Sequence, residues 1–121
     1  MTIGEAITRI DLQKQNTCTR QEKLDWLSEL DGLLRTQVLS PQDPRLPVQL
    51  PYEDPVADTA ELLAPPPYDG MYLWWLEARI DYQNGEFIRF NNAMELFRAM
   101  FRDHAAWYNR TRMTDGGTEF F

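Results

Sequence analysis

The sequence is short of the residues that carry most protein chemistry. Its 121 residues include one cysteine, Cys18, and one histidine, His104. A single cysteine excludes an internal disulfide, and a small buried hydrophobe or inert thiol is the plain reading of Cys18. No serine or cysteine stands in helical register with His104, so a paired nucleophile and base has no support. There is no glycine-rich phosphate loop. Positive charge is also scarce, with 12 Lys and Arg against 19 Asp and Glu, a formal charge of −7. A surface that grips duplex nucleic acid needs the opposite balance. No stretch approaches the roughly 20 apolar residues of a membrane span. The start, Met1-Thr2-Ile3-Gly4-Glu5, is neither basic nor apolar, so no secretory leader is expected and folding in a reducing cytoplasm is.

What is present is helical punctuation and aromatic mass. Thr2 and Glu5 have the spacing of a capping box, followed by Ile3, Ala6, Ile7 and Ile10, which predicts a helix over about 3–14. A second box, Thr19 with Glu22, opens a stripe of Leu24, Leu27, Leu30, Leu34 and Val38. That predicts an amphipathic helix over 20–39, with Lys23, Asp25, Glu29, Asp31 and Arg35 on its other faces. All eight prolines then fall between Pro41 and Pro67, a density that forbids a helix. Alternation of Leu46, Val48, Leu50 and Tyr52 suggests a short strand, which Pro47 and Pro51 confine to an edge or to a pairing with another chain. Residues 41–70 carry Asp43, Glu53, Asp54, Asp58, Glu61 and Asp69 against Arg45 alone. A third helix, 68–83, is apolar nearly all round and closes at Asn84-Gly85. A fourth, 86–111, has Phe90, Met94, Phe97, Phe101, Ala105 and Tyr108 as its stripe. The expected fold is therefore all-α: a small bundle of about four helices over 1–113, with a Pro-rich acidic loop at 41–67 and an extended C-terminal arm at 114–121. One short strand or hairpin in the loop is the most β structure expected.

No residue set points to catalysis, a metal or a cofactor. Glu77 with Asp81, and Asp25 with Glu29, have i, i+4 spacing, but the Glu-x-x-His repeats of a di-iron bundle are missing, so solvated faces are the better reading. Trp74 and Trp75 point about 100° apart on a helix. Either both pack in the core, or one packs there and the other lies under the Pro-rich segment or against another chain. Arg98 and Arg102 share a face, as plain surface charge or as partners for acids on a neighbouring subunit. These four, Trp74, Trp75, Arg98 and Arg102, are the candidate subunit-interface residues.

Several stretches resemble one family. They are Trp26-Leu27-Ser28-Glu29-Leu30-Asp31-Gly32, Glu61-Leu62-Leu63-Ala64-Pro65-Pro66-Pro67-Tyr68-Asp69, Ile80-Asp81-Tyr82-Gln83-Asn84-Gly85-Glu86, Asn91-Asn92-Ala93 and Trp107-Tyr108-Asn109-Arg110. They resemble small phage and prophage proteins encoded in the head-morphogenesis modules of tailed phages of Gram-positive bacteria, which are similar to head–tail connector (adaptor) proteins. The resemblance covers nearly the whole chain. It is strongest over 61–93 and weakest over 41–60. It implies a helical bundle forming a ring, usually dodecameric, beneath the portal protein, in the virion neck, after synthesis in the host bacterial cytoplasm. A stopper would be the next neck protein, and DNA would pass through without specific binding. The resemblance brings no catalytic residues, and no membrane partner is expected.

Within that reading, the acidic residues Asp54, Asp58 and Glu61 are expected to face the channel or the next ring. In such adaptors the C-terminal arm inserts into the portal. That implies portal-binding roles for Asn109, for Arg110 and Arg112, which supply the local positive charge, and for Phe120 and Phe121, two large rings the bundle has no evident need for. The competing readings are another neck component, such as a stopper or tail-completion protein, and a small acidic interaction protein that mimics DNA charge.

Overall fold

The computed structural model describes the backbone of residues 1–46 and 49–116 and, in the last helix, side chains through Arg112. The fold is all-α: α1 spans Ile3–Gln13, α2 Arg20–Gln37, α3 Met71–Gln83 and α4 Phe87–Gly116. A single 3-10 turn, Tyr68–Gly70, leads into α3. Both capping boxes form. The Glu5 amide donates to Thr2 Oγ1 at 3.1 Å, and the Thr2 amide donates to Glu5 Oε1 at 2.9 Å. Thr19 and Glu22 repeat the exchange at the start of α2. Each cap contributes about 1 kcal/mol by satisfying amides that the helix itself leaves unpaired. Gly85, at φ 74°, turns the chain from α3 into α4, a conformation that a side chain would strain.

α3 is the central helix. It packs against α1, α2 and α4, whereas α4 has α3 as its one neighbouring helix among the described residues and also meets the turn before α3. That position accounts for the nearly continuous apolar surface of α3. Met71, Tyr72, Leu76 and Ile80 are fully buried, facing Ile3, Ala6 and Ile10 of α1 and Leu24, Leu27, Leu30 and Leu34 of α2. α4 is 30 residues long, about 45 Å. It turns Ala93, Phe97, His104 and Tyr108 inward and leaves its other side to solvent.

The Pro-rich segment lies along the bundle, held by its backbone. Ile3 and Gly4 amides donate to the carbonyls of Ala60 and Asp58, each at 2.9 Å, and the Leu62 amide donates to Met1 at 3.0 Å. Gly4 makes the approach possible. A Cβ there would stand 2.8 Å from Asp58 Cβ.

The fold departs from the sequence expectations first in the Pro-rich segment. The described part of 46–52 forms no strand, and Val48 lies outside the described residues. Here the Tyr52 amide donates to Ser28 Oγ at 2.7 Å, and Pro51 has no amide to give to a ladder. An isolated antiparallel bridge, Thr2 with Glu61, forms instead near the start of α1. Second, Asp31 and Lys23 are buried, not turned outward. Asp31 stands seven residues after Leu24, on the same face, and Lys23 reaches Asp11 at 2.7 Å. Third, residues 114–116 continue α4 instead of starting an arm, and 117–121 lie outside the described residues.

Candidate functional site

Two clusters of buried polar groups are built where the Pro-rich segment meets a helix. In the first, Asp31 of α2 is fully buried. Tyr52 Oη donates to its Oδ2 and Tyr72 Oη to its Oδ1, each at 2.5 Å, and the Leu63 amide donates to Oδ2 at 3.3 Å. Tyr72 Oη in turn accepts from the Ala64 amide at 2.7 Å. Burial pushes the Asp31 carboxyl up, against the pull of its donors, and burial first, then the Asp31 charge, raises both phenols. A buried carboxylate that has three donors is a structural tie, because its oxygens are occupied.

In the second cluster, the segment after α2 meets the far half of α4 around a cleft of about 440 Å³. The Ser40 amide donates to Tyr108 Oη at 2.9 Å, and Tyr108 Oη donates to Asp43 Oδ2 at 2.8 Å. The Arg45 fork closes on Asp43, Nε to Oδ1 at 3.0 Å and Nη2 to Oδ2 at 2.9 Å, while Nη1 donates to the Leu63 carbonyl at 2.6 Å. The hydrogen bond from Arg45 holds the Asp43 carboxyl well below the usual carboxylate range. Arg112 lies over the Tyr108 ring at 5.7 Å. Behind the cleft, His104 is fully buried among Tyr68, Trp107 and Tyr108, and neither ring nitrogen has a hydrogen-bond partner. Burial, and then the Arg45 charge, lower its pKa to about 4, so it is neutral at pH 7. This arrangement orders side chains and presents a basic rim. It does not pair a base with a nucleophile.

The residues singled out in the sequence scatter over the molecule. Trp75 is 7 % exposed. Its Nε1 donates to the Trp26 carbonyl at 2.8 Å, its ring packs on Phe97, and Arg79 stacks on it at 4.6 Å. Trp75 thus packs within its own chain. Trp74 is half-buried, and Arg98 and Arg102 are exposed on α4. Asp54 and Asp58 both face the Arg20 guanidinium, at 3.1 Å and 2.9 Å, and Glu61 lies 3.6 Å from the Met1 amine. All three are exposed, and each also fastens the segment to α1 or α2. Arg112 lines the cleft, Asn109 and Arg110 are exposed beyond it, and Phe120 and Phe121 lie outside the described residues.

Of the two carboxylate pairs read as solvated faces, Asp25 and Glu29 are exposed, but Asp81 is fully buried with the Lys14 ammonium against it, which corrects the reading for that residue. Burial and then the Asp81 charge raise Glu77. Among the described residues no group of His, Cys, Asp and Glu has the arrangement of a metal site, and no helix is long and apolar enough to cross a membrane. The polar ties through Tyr52, Tyr72 and Tyr108 were missed in the sequence. A tyrosine in an apolar stripe reads as a ring, and nothing local says which carboxylate its hydroxyl will meet. No protein-family model, curated protein or solved structure matches the chain.

Proposed function

We propose that this chain is a structural protein of a tailed-phage particle, a head–tail connector (adaptor) that forms a ring beneath the portal protein, joins capsid to tail and lines the DNA channel. The observation that carries the reading is apolar surface left unused at the turn between α3 and α4. Tyr82, Phe87 and Ile88 are 60 %, 57 % and 79 % exposed, with Leu96 further along α4. Tyr82 packs edge-on against Phe87 at 5.6 Å and Phe90 at 5.4 Å, so the rings form a cluster. Clustered exposed rings mark protein contacts. The exposed first turns of α4, beyond its contact with α3, are open to a neighbouring subunit.

The resemblance supplies the partners: further copies of the chain in a dodecameric ring, the portal above, a stopper below, in the virion neck. A charge of −7 suits a wall past which DNA slides without sticking. The all-α fold favours an adaptor over a stopper, which is typically β-rich. A DNA mimic would spread its carboxylates along helix faces, whereas the net negative charge here is concentrated in the Pro-rich segment. Native mass spectrometry and electron microscopy of the purified protein, alone and with portal-containing heads, test the proposal. The expected result is a closed ring of one copy number that attaches to heads. A protein that stays monomeric in both settings ends the reading.

A further inference from the structure

Two helix faces carry opposite charge and do not meet within one chain. On α4, Phe87, Asn91, Arg98, Arg102 and Asn109 fall within one sector of about 60°, at about 100° per residue. All five are exposed. No carboxylate lies inside the sector, and Glu95 stands at its edge. Neither Arg98 nor Arg102 has an ion-pair partner among the described residues. On α2, Gln21, Asp25, Glu29, Gly32 and Thr36 fall within one sector of about 80°, where the only charges are negative. Asp25 accepts from the neutral Gln21 amide at 2.8 Å, and Glu29 meets Arg79 at 3.2 Å. α2 and α4 do not touch each other, so neither strip is covered by the other.

The α2 strip is also shaped to receive something. A shallow groove of about 400 Å³ runs along it, with Leu50 and Pro51 on one wall and Arg35 at one end. Gly32 lies on it, in the interior of α2. Glycine there costs the helix about 1 kcal/mol relative to alanine. A Cβ at Gly32 would meet nothing within 4 Å, so nothing inside the chain calls for glycine. Open space above a helix backbone, beside carboxylates and two apolar side chains, fits close approach by another helix.

We infer that the α4 strip of one copy docks on the α2 groove of the next, a head-to-tail contact that rests on the ring reading above. Arg98 and Arg102 are four residues apart, and so are Asp25 and Glu29. Two helices laid side by side therefore bring both pairs into register. Phe87 adds apolar area at one end of the strip. Because the two surfaces differ, the contact repeats from copy to copy and closes into a ring when the rotation allows.

The test is a charge exchange. Arg98→Glu with Arg102→Glu leaves both surfaces acidic, and Asp25→Lys with Glu29→Lys leaves both basic. Each double variant alone is expected to keep its helical circular dichroism and to lose self-association at least tenfold by sedimentation. Mixed in equal amounts, they are expected to re-form a ring in which the two alternate, read as equal numbers in native mass spectrometry. Gly32→Gln is expected to keep or raise the unfolding midpoint while abolishing assembly. If the wild type forms rings and either charge variant or Gly32→Gln assembles alone as the wild type does, the contact is wrong and the ring reading stands. The same holds if the mixture fails to recover. Attachment of the monomeric charge variants to an acidic or basic partner in purified heads, with no ring in the wild type, overturns the ring reading and this contact together.

Discussion

The Pro-rich segment and the α3–α4 hairpin reverse what their compositions suggest. The segment from Ser40 to Pro67 has the prolines, charge and length of a loose connection. Yet Tyr52, Leu63 and Ala64 are tied to the buried Asp31–Tyr72 pair, Asp54 and Asp58 to Arg20, and Asp43 to Arg45 and Tyr108. The hairpin has the rings and aliphatic side chains of a core, yet Tyr82, Phe87 and Ile88 stand in solvent. Order in a segment without regular structure comes from side chains that satisfy its backbone, one donor at a time. Apolar residues at a helix end become interior only when something covers them. In the first region the chain covers itself, and in the second it leaves apolar rings in solvent.

The strongest way to break the contrast is to cut the tie at its centre. Asp31→Ala leaves two phenols and an amide without their acceptor. It is expected to cost about 3–5 kcal/mol in urea unfolding, the range for breaking a buried charge network. A loss under about 1 kcal/mol would mean that the segment is not held from inside. Trp75→Ala should cost a comparable ~3–5 kcal/mol as a cavity in the core, whereas half-buried Trp74→Ala should cost well under half of that. Equal losses would erase the distinction drawn between the two rings.

A pH titration probes the second cluster. His104 has an ordinary value of 6.5 and is held at about 4 in the folded chain. As pH falls, the unfolded chain takes up this proton first, so stability declines between about 6.5 and 4. The decline should amount to roughly 2–3 kcal/mol, read from denaturant curves, and should be absent from the curves of His104→Phe. Asp43, lowered by Arg45, adds its own loss only at more acid pH, where the two are separable. The smallest effect is expected on the hairpin. Ile88→Ser should change monomer stability by no more than about 0.5 kcal/mol and still weaken assembly. A large stability loss there would show the residue to be core after all.

Much of the fold could be read from local signals. Two capping boxes placed the starts of α1 and α2, Asn84-Gly85 placed the end of α3, and the Leu24-to-Val38 stripe marked buried positions. The site was less legible because its bonds span long separations. Tyr72 meets Asp31 across 41 residues, and Tyr108 meets the Ser40 amide across 68. No window of sequence contains both partners. Asp31 was readable in part, since its distance from Leu24 puts it on the apolar face, but the charge outweighed the position. Trp74 and Trp75 could not be told apart, because which of two adjacent rings turns inward depends on where α2 lies.

These long separations bear on the order in which a growing chain can settle. Synthesis delivers α2 with Asp31 first, then the Pro-rich segment with Tyr52, and only later Tyr72 on α3. Until residue 72 has been added, Asp31 lacks one of its two phenols and Ala64 lacks its acceptor. The Ser40 end of the segment waits longer still, for Tyr108 near the end of α4. The Asp31 tie and the Ser40 end of the segment are therefore completed only when the second half arrives. Contacts this distant along the chain slow closure, and truncating α4 before Tyr108 should loosen the segment at Ser40 although every residue of that segment is still present.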